Sequence, residues 1–177
     1  MTRLRRVPTA ELTKAELETL RRLLFEAFGG RFDEHDWDHT LGGMHVLAME
    51  DDEMIAHGAV VGRTLVAGGR ALRTGYVEGV ATRGDRRGLG LATLVMAEVG
   101  RVISEGGYEL AALGDGSGIP GFYQRLGWET WQGPTGAAGP ERTAKEDGSV
   151  LVLRTPATGE LDLDGPLTCD WRAGDLW

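Results

Sequence analysis

The stretch GYVEGVATRGDRRGLGLAT, residues 75–93, leads from an apolar strand into a helix through a turn rich in arginine and glycine. The first backbone N–H groups of such a helix have no intrahelical partners, and the helix dipole makes that end positive. Its glycines allow a ligand to approach the main chain, and Arg86 and Arg87 add positive charge. The stretch therefore predicts an anion-binding site suited to a pyrophosphate group.

Three kinds of phosphate-binding turn are relevant to this stretch. A Walker A loop needs Gly-Lys-Ser/Thr, which is absent. A dinucleotide-binding turn would have a third glycine where Thr93 stands, and it would open a βαβ unit rather than follow a meander of strands. The remaining option is the pyrophosphate turn of enzymes that use coenzyme A.

The residues before the turn predict a helix followed by an antiparallel meander. Thr13-Lys14-Ala15-Glu16 is a capping box that begins the helix, and Gly29-Gly30 ends it. Three strands follow, joined by tight turns at Asp51-Asp52 and at Gly68-Gly69.

The residues after the turn predict a crossover helix from about residue 88 to 105, and then a buried strand in YELAALG. A short helix in IPGFYQRLGW closes at Gly127, and ETWQGPT and SVLVLRTP supply further strands. The glycine-rich residues 133–148 are predicted to be a mobile loop. Because there is no repeat and no linker, residues 1–177 are predicted to form a single α/β domain.

The composition narrows the class of protein. The chain carries 27 acidic and 19 basic residues, a net charge of −8, which disfavours binding to nucleic acid. No stretch has the length of a membrane span, and no apolar run follows Arg3, Arg5 and Arg6 as it would in a signal peptide. The single cysteine, Cys169, suits a reducing compartment and a place in the core. These observations predict a cytoplasmic protein with no nucleic-acid or membrane partner.

Two motifs, GVATRGDRRGLGLATLV and then GFYQRLGW about thirty residues later, resemble those of the GNAT superfamily of acetyl-CoA-dependent N-acetyltransferases. The resemblance implies an α/β GNAT fold, with a central mixed, mostly antiparallel sheet that is splayed in the middle and flanked by helices. DWDHTLGGMH, GYVEGVA and the final CDWRAGDLW further resemble the aminoglycoside 2′-N-acetyltransferases, over nearly the whole chain. That narrower resemblance implies acetyl transfer from acetyl-CoA to the 2′-amine of an aminoglycoside antibiotic, which confers resistance.

Two other functions stay open on the sequence. A GNAT enzyme could act on another small amine, such as a polyamine, an amino sugar or a peptide N-terminus. A non-catalytic module of the same fold could bind acyl-CoA as a regulator, although such a module would need neither Glu78 nor Tyr123. The expected partner is a small molecule, and the sequence leaves the oligomeric state open, with a homodimer among the options.

On the coenzyme side, the resemblance implies contacts of the strand end with the pantetheine arm and of the turn with the pyrophosphate. The implied residues are Val80, Ala81, Thr82, Arg86, Arg87, Gly88, Leu89, Gly90, Leu91 and Ala92. Asp85 stands where the family has Gln or Arg, so that the positive charge has to come from Arg86 or Arg87. No metal ion is expected, because His35 and His39 lack a third ligand at a suitable spacing.

The resemblance also implies how the reaction is catalysed. The backbone amide of Val80 would polarise the thioester carbonyl, and Glu78 would accept the proton of the amine through water. Tyr123 would act as the general acid that protonates the leaving thiolate. Each side chain has a plainer alternative: Glu78 as a strand-edge carboxylate paired with an arginine, and Tyr123 as a core aromatic. Phe122 is the better candidate for that core position.

On the acceptor side, the resemblance implies that sugar amines contact the main-chain carboxylate of Trp177, which also counts among the catalytic residues. The tryptophan side chain would hold this end of the chain in place. The other implied acceptor contacts are Asp36, Glu78, Gly79, Glu146 and Asp175.

Two positions depart from the family on the acceptor side. Arg31 stands where the family has an aspartate that binds a sugar amine, and Gly114 stands where it has a serine. An arginine repels an ammonium group but holds a carboxylate with two hydrogen bonds. Arg31 therefore favours kasugamycin, which offers both a 2′-amine and a carboxylate, unless its side chain simply points to solvent.

Overall fold

The computed structural model describes residues 1–138 and 149–177, which fall into two compact units. The first unit comprises Met1–Val61 and Val77–Val102, and the second comprises Gly62–Tyr76 and Ile103–Trp177. Glu146, one of the predicted acceptor contacts, lies outside the described residues.

The helices of the described residues are α1 (Lys14–Phe28), α2 (Glu34–Thr40) and α3 (Leu91–Glu105). The strands are β1 (Arg3–Pro8), β2 (Met44–Glu50), β3 (Glu53–Ala67), β4 (Arg70–Thr82), β5 (Leu110–Gly114), β6 (Glu129–Thr130), β7 (Thr135–Ala138), β8 (Val150–Arg154) and β9 (Leu167–Asp170). Short 3₁₀ turns occupy Thr9–Glu11, Gly29–Arg31, Gly84–Arg86 and Gln124–Leu126.

Helix α1 begins and ends where its capping signals predict. The Thr13 hydroxyl accepts the N–H of Glu16 at 3.2 Å, and the Glu16 carboxylate accepts the N–H of Thr13 at 2.8 Å. At the other end, Gly29 takes a φ of +61° and donates its N–H to the carbonyl of Phe25. Both features satisfy backbone groups that the helix ends would otherwise leave without partners.

The two predicted tight turns are also confirmed. Asp51 and Asp52 join β2 to β3 with φ values of 49° and 63°, and Gly68 and Gly69 join β3 to β4 with 57° and 76°. Positive φ at both central residues gives the turn the twist that an antiparallel hairpin needs.

Strand β1 was not predicted from the sequence. It pairs antiparallel with β2, from Arg3 opposite Met49 to Pro8 opposite Met44. Arg5 is paired with Glu16, and Arg6 with Glu98. These arginines obscure the strand pattern because the carboxylates that compensate their charges lie 11 and 92 positions away in the sequence.

Helix α3 begins at Leu91, three residues later than predicted, because Gly88 and Gly90 have φ values of +77° and +76°, which an α-helix does not allow. Its buried face packs so closely on β3 that a Cβ at Gly58 would lie 2.9 Å from a methyl group of Val95. Leu94 fits the apolar periodicity of this helix but is 41% exposed. A separate cluster in the first unit packs α1 against the sheet and consists of Val7, Leu12, Leu20, Leu23, Leu24, Leu47, Met54 and Ala81.

In the second unit, the predicted crossover is confirmed by parallel pairing of β4 with β5, from Thr74 opposite Leu110 to Tyr76 opposite Ala112. Strand β5 also pairs antiparallel with β8, and β8 with β6. Strand β9 pairs antiparallel with β3 and parallel with β7. The pairing is thus mixed and mostly antiparallel.

The prediction of a mobile loop over residues 133–148 is wrong for 135–138, which form β7. Neither β7 nor β9 was predicted, because each is only four residues long. No helix within the described ranges is long and apolar enough to cross a membrane.

Candidate active site

The turn before α3 presents main-chain donors. The carbonyl of Gly90 accepts the first helical hydrogen bond, from the N–H of Leu94 at 3.0 Å. The N–H groups of Leu91, Ala92 and Thr93 therefore have no acceptor within the helix. Cβ atoms placed at Gly88 and Gly90 would meet nothing within 4 Å, so these glycines serve the backbone conformation and leave the main chain open to a ligand.

The two arginines of the turn are held by neighbouring elements. Arg87 donates to the carbonyl of Ala27, near the end of α1, at 2.9 Å. Arg86 pairs with Glu50 on β2 at 3.1 Å. The contact of Arg87 is to an uncharged group, so this contact leaves its positive charge uncompensated. Between the arginines and α3, Leu89 is exposed.

Asp85 does not bring an uncompensated negative charge into the turn. Its two carboxylate oxygens accept hydrogen bonds from Arg83 at 2.7 and 3.1 Å. These bonds hold the pKa of Asp85 below its usual value. Arg83 also donates to Glu53 at 2.8 Å. The negative charge of Asp85, which stands where the family has Gln or Arg, is thus compensated by Arg83, two residues away.

The end of β4 contains a left-handed residue. Gly79 has a φ of +59°, and a Cβ there would lie 3.2 Å from the methyl group of Thr40 and 3.3 Å from the ring of His57. Both the conformation and the space require glycine at this position. Glu78, Gly79 and Val80 are half-buried at this irregularity, Ala81 is buried and Thr82 is half-buried.

Two buried histidines stand behind Gly79. His45 lies on β2 and His57 on β3, and neither has solvent exposure. His57 Nδ1 lies 2.7 Å from the carbonyl oxygen of Gly79, and His57 Nε2 lies 2.9 Å from His45 Nδ1. Burial lowers the pKa of His45 to about 4 and that of His57 to about 3. Sequence analysis did not predict this cluster, because His45 and His57 are 12 positions apart and His57 and Gly79 are 22 positions apart.

Helix α2 carries Asp36 into the same unit. The Asp33 side chain caps the helix, and Asp36 accepts the N–H of Asp33 at 2.9 Å, so the Asp36 carboxylate is held by a capping box. One turn later, the Thr40 hydroxyl donates to the Asp36 carbonyl at 2.9 Å, and Thr40 packs beside Gly79. Arg31 is exposed in the 3₁₀ turn before this helix.

In the second unit, Tyr123 lies just before the Gln124–Leu126 turn, which Gly127 closes with a φ of +89°. Tyr123 is 5% exposed, whereas Phe122 is only half-buried, so the expectation that Phe122 is the core residue of the pair is wrong. Burial, together with the charge of Asp115, raises the pKa of Tyr123 further above 10. The phenol is therefore protonated at neutral pH and able to donate.

The last residues of the second unit are held close to β5. Trp177 is 5% exposed, and a Cβ at Gly114 would lie 2.8 Å from its main-chain carbon. The N–H of Trp177 donates to the Asp175 carboxylate at 3.2 Å, and Asp175 is exposed. The tryptophan side chain is thus buried, as predicted, and position 114 has no room for the serine of the family.

Arg63, which the sequence did not single out, holds this final segment. Its Nε and Nη2 donate to the side chain and carbonyl of Asp170 at 3.0 and 2.8 Å, and its Nη1 donates to the carbonyl of Leu176 at 2.7 Å. The guanidinium is buried and lies 4.7 Å from the ring centre of Tyr76. Beside it, Cys169 is buried, as predicted, and burial raises its pKa.

The predicted site residues divide between the two units. The first unit contains the coenzyme-side residues 80–82 and 86–92, together with Glu78, Gly79, Asp36 and Arg31. The second unit contains Tyr123, Asp175 and Trp177. His35 and His39 lie on α2, and no group of three His, Cys, Asp or Glu side chains suited to a metal ion occurs among the described residues.

Residues 9–131 match the family of the acetyltransferase (GNAT) domain. This match covers more than half of the chain, which therefore belongs to the GNAT acetyltransferases and is an acyltransferase by class. An aminoglycoside 2′-N-acetyltransferase from Mycolicibacterium fortuitum is 47% identical over 178 residues, which cover 98% of this chain and 91% of the relative. Within the GNAT acetyltransferases, the chain thus belongs to the family of the aminoglycoside 2′-N-acetyltransferases.

Solved structures show the same fold. The GNAT family N-acetyltransferase YhbS from Escherichia coli, in complex with CoA, matches with a TM-score of 0.66 and 18% identity over 94% of this chain and 88% of its own. A GNAT family acetyltransferase from Brucella melitensis, in complex with acetyl-CoA, matches with a TM-score of 0.65 and 15% identity over 98% of this chain and 97% of its own. These matches confirm the predicted GNAT fold, a mixed sheet flanked by helices.

Proposed function

We propose that this protein transfers the acetyl group of acetyl-CoA to the 2′-amine of an aminoglycoside antibiotic and thereby confers resistance. The observation that carries the proposal is the 47% identity, over 98% of the chain, to a relative named for this reaction. The geometry of the described residues supports it on both the coenzyme side and the acceptor side.

On the coenzyme side, the pyrophosphate binds at the turn before α3. The N–H groups of Leu91 and Ala92 and the positive helix end favour an anion, and the conformations of Gly88 and Gly90 leave room for its approach. Arg87 adds positive charge beside Leu89, while Arg86 supports the turn through Glu50. The main chain of residues 80–82, at the end of β4, holds the pantetheine arm.

In the reaction, the neutral amine nitrogen attacks the thioester carbon, and the carbonyl oxygen becomes an oxyanion. The N–H of Val80 stabilises this oxyanion. Glu78, half-buried beside the left-handed Gly79, accepts the proton that the amine nitrogen loses, through water. When the carbon–sulfur bond breaks, Tyr123 donates its phenolic proton to the thiolate of coenzyme A.

On the acceptor side, carboxylates bind the protonated amines of the sugar. Asp36 is fixed by its capping box, and Asp175 is exposed next to the buried Trp177. The main-chain carboxylate of Trp177 supplies a further negative group, and Glu146 remains a proposed contact. The net charge of −8 favours the approach of a polycation.

Within this substrate class, Arg31 favours kasugamycin. Its exposed guanidinium repels an ammonium group and binds a carboxylate, whereas the family's aspartate at this position would do the reverse. We expect Arg31 to change which aminoglycoside is preferred and to leave the mechanism of acetyl transfer the same.

The most direct test measures thiol release from acetyl-CoA across a panel of aminoglycosides, together with polyamines, amino sugars and peptides. Acetylation at the 2′-position, located by mass spectrometry and NMR of the product, supports the proposal. Faster transfer to another class of amine would favour the second candidate, a GNAT enzyme for a different small amine. Binding of acetyl-CoA without any transfer would favour the regulatory module.

We further propose that the protein acts in the cytoplasm as a single domain over residues 1–177, without metal ions. Mass measurement of the purified protein in solution distinguishes a monomer from a homodimer. Because we propose that no metal ion takes part, we expect the activity to persist after extensive treatment with chelators.

A further inference from the structure

We propose that His57 is a positioning residue that fixes the direction of the Val80 N–H group by holding the carbonyl oxygen of Gly79. The inference rests on the proposed function, in which the Val80 N–H stabilises the oxyanion. It assigns a role to a histidine pair that takes no direct part in the proposed chemistry.

The first step of the argument is the geometry of one peptide unit. The carbonyl of Gly79 and the N–H of Val80 belong to the same planar group, and in a trans peptide they point in opposite directions. None of the peptide bonds described is cis. His57 Nδ1 lies 2.7 Å from the Gly79 oxygen, so the Val80 N–H points away from His57. Whatever fixes the carbonyl therefore also fixes the direction of the N–H group.

The second step is the protonation state of the two rings. A carbonyl oxygen can only accept, so His57 Nδ1 carries the hydrogen and Nε2 of the neutral ring accepts. His45 Nδ1, 2.9 Å from His57 Nε2, must then be the donor. His45 Nε2 is left to accept the hydroxyl hydrogen of Thr9 at 2.7 Å. Thr9 in turn accepts the N–H of Gly42 at 2.9 Å.

The bonds in this chain run in one direction, from the Gly42 N–H to the Gly79 carbonyl. The Thr9 hydroxyl also lies 3.3 Å from the carbonyl of Gly43, but its contact with His45 Nε2 is shorter, at 2.7 Å. A proton added to His57 would place its Nε2–H against the Nδ1–H of His45. Both rings are fully buried, and burial keeps their pKa values at about 4 and about 3, so both stay neutral at physiological pH. The donor to Gly79 is therefore present whenever the protein is folded.

The third step is the close packing around Gly79. The ring of His57 would lie 3.3 Å from a Cβ at this position, and the methyl group of Thr40 would lie 3.2 Å from it. Any ring of similar size at position 57 would fill this space. The hydrogen bond, in contrast, requires a donor at the position of Nδ1, and this difference separates a positioning role from a merely structural one.

The test compares His57→Phe, which keeps a ring but removes the donor, with His57→Asn, whose amide can still donate to the Gly79 carbonyl. Loss of an oxyanion donor costs about a hundredfold to a thousandfold in kcat, and we expect a misdirected donor to cost about tenfold to a hundredfold. We expect His57→Phe to lower kcat by this factor and to leave the KM for acetyl-CoA within about twofold. His57→Asn should recover most of the loss. His35→Asn, on the exposed part of α2, serves as the control.

Two NMR measurements do not depend on turnover. In ¹⁵N-histidine-labelled protein, both buried rings should be neutral with hydrogen on Nδ1. The amide signal of Val80 should shift on addition of acetyl-CoA, relative to coenzyme A, and this shift should be smaller in His57→Phe.

An Nε2–H form of His57, or an unchanged kcat in a folded His57→Phe variant of an active enzyme, would overturn the inference. An absence of transfer by the wild-type protein to every amine would instead overturn the proposed function. The imidazole signals can be measured whether or not the protein transfers an acetyl group.

Discussion

A Cβ atom added to Gly114 would lie 2.8 Å from the main-chain carbon of Trp177 and 3.0 Å from its oxygen. Gly114 is the last residue of β5, and Trp177 is held there by the contacts of Arg63 with Asp170 and Leu176. The glycine that stands where the family has a serine thus leaves the space that the main chain of Trp177 occupies. Any larger side chain must displace Trp177, and this relationship can be tested directly.

We expect Gly114→Ser to raise the KM for the aminoglycoside and to leave the KM for acetyl-CoA within about twofold. The reason is that a displaced carboxylate loses a charge-assisted contact worth about 1.5–3 kcal/mol, or roughly tenfold or more in binding. Steady-state kinetics with each substrate varied in turn measures both constants. Gly116→Ser is the matched control, because a Cβ at Gly116 would meet nothing within 4 Å. Equal acceptor KM values in the two variants would argue against the proposed role of Trp177.

Removing Trp177, or adding residues after it, should also weaken aminoglycoside binding. Deletion removes a buried indole as well as the carboxylate, so the melting temperature must be followed in parallel. A carboxyl-terminal tag keeps the indole and changes only the charged group. Calorimetric titration with the aminoglycoside and with coenzyme A compares the two sites. A tag that leaves acceptor affinity intact would show that the carboxylate is not a binding group.

Gly90→Val should weaken coenzyme A binding while the fold survives. A β-branched residue is strained at a φ of +76°, by about 1–3 kcal/mol, and rearrangement of the turn would move the N–H groups that face the pyrophosphate. We expect an affinity loss of about tenfold or more, measured by calorimetry. Gly84→Val, in the same turn but with an ordinary φ and open space, is the control. Unchanged affinity in a folded Gly90→Val variant would count against the pyrophosphate assignment.

Tyr123→Phe should lower kcat by about a hundredfold or more and change both KM values little, because it removes only the proton donor. Burial raises the pKa of this phenol above 10. Since the phenol is the protonated form below that pKa, the wild-type enzyme should show no fall in kcat from Tyr123 ionisation between pH 6 and about pH 9. The control is Tyr108→Phe, a half-buried tyrosine under Arg73. Full turnover of Tyr123→Phe at every pH would assign the proton to water or another group.

Arg31→Asp should shift specificity from kasugamycin towards gentamicin and tobramycin. The substitution reverses the charge at an exposed position, so the site loses a contact with a carboxylate and gains a contact with an ammonium group. We expect the ratio of kcat/KM for kasugamycin to kcat/KM for the other two drugs to fall by about tenfold to a hundredfold. Arg22→Asp, an exposed change of the same charge on α1, controls for the general effect of net charge. A parent enzyme that already prefers gentamicin, or a ratio that Arg31→Asp leaves unmoved, would remove Arg31 from the specificity residues.

The elements that local sequence predicts well are those whose determinants lie within a few residues of each other. The capping box of Thr13 and Glu16 places the start of α1, and the pairs Asp51-Asp52 and Gly68-Gly69 place the hairpin turns. Gly88 and Gly90 place the turn before α3 for the same reason, although their positive φ values delay the start of α3 to Leu91. The family of the protein was predicted correctly as well, because its motifs are contiguous stretches of sequence.

Strand pairing over long distances was predicted less well. Strand β1 was missed because its arginines find carboxylates far along the chain, and β9 because its four residues pair with β3, about a hundred positions earlier. Leu94 fits the periodicity of α3 and is nevertheless exposed. Burial depends on what packs against a face, and the helical pattern alone does not contain that information.

The class of enzyme was thus predicted correctly from local motifs, and the same motifs contain the turn proposed to bind the coenzyme and the residues proposed for catalysis. The contacts around these residues became visible in the folded protein: Arg63 at the final segment, Gly114 beneath Trp177, and His57 at the carbonyl of Gly79. Hydrogen bonds and close contacts between distant segments arise from the folded arrangement of the chain, so local sequence patterns do not contain them. An arginine, a glycine or a histidine does not by itself mark a site in the sequence, and it becomes part of one only when the fold brings its partners within reach.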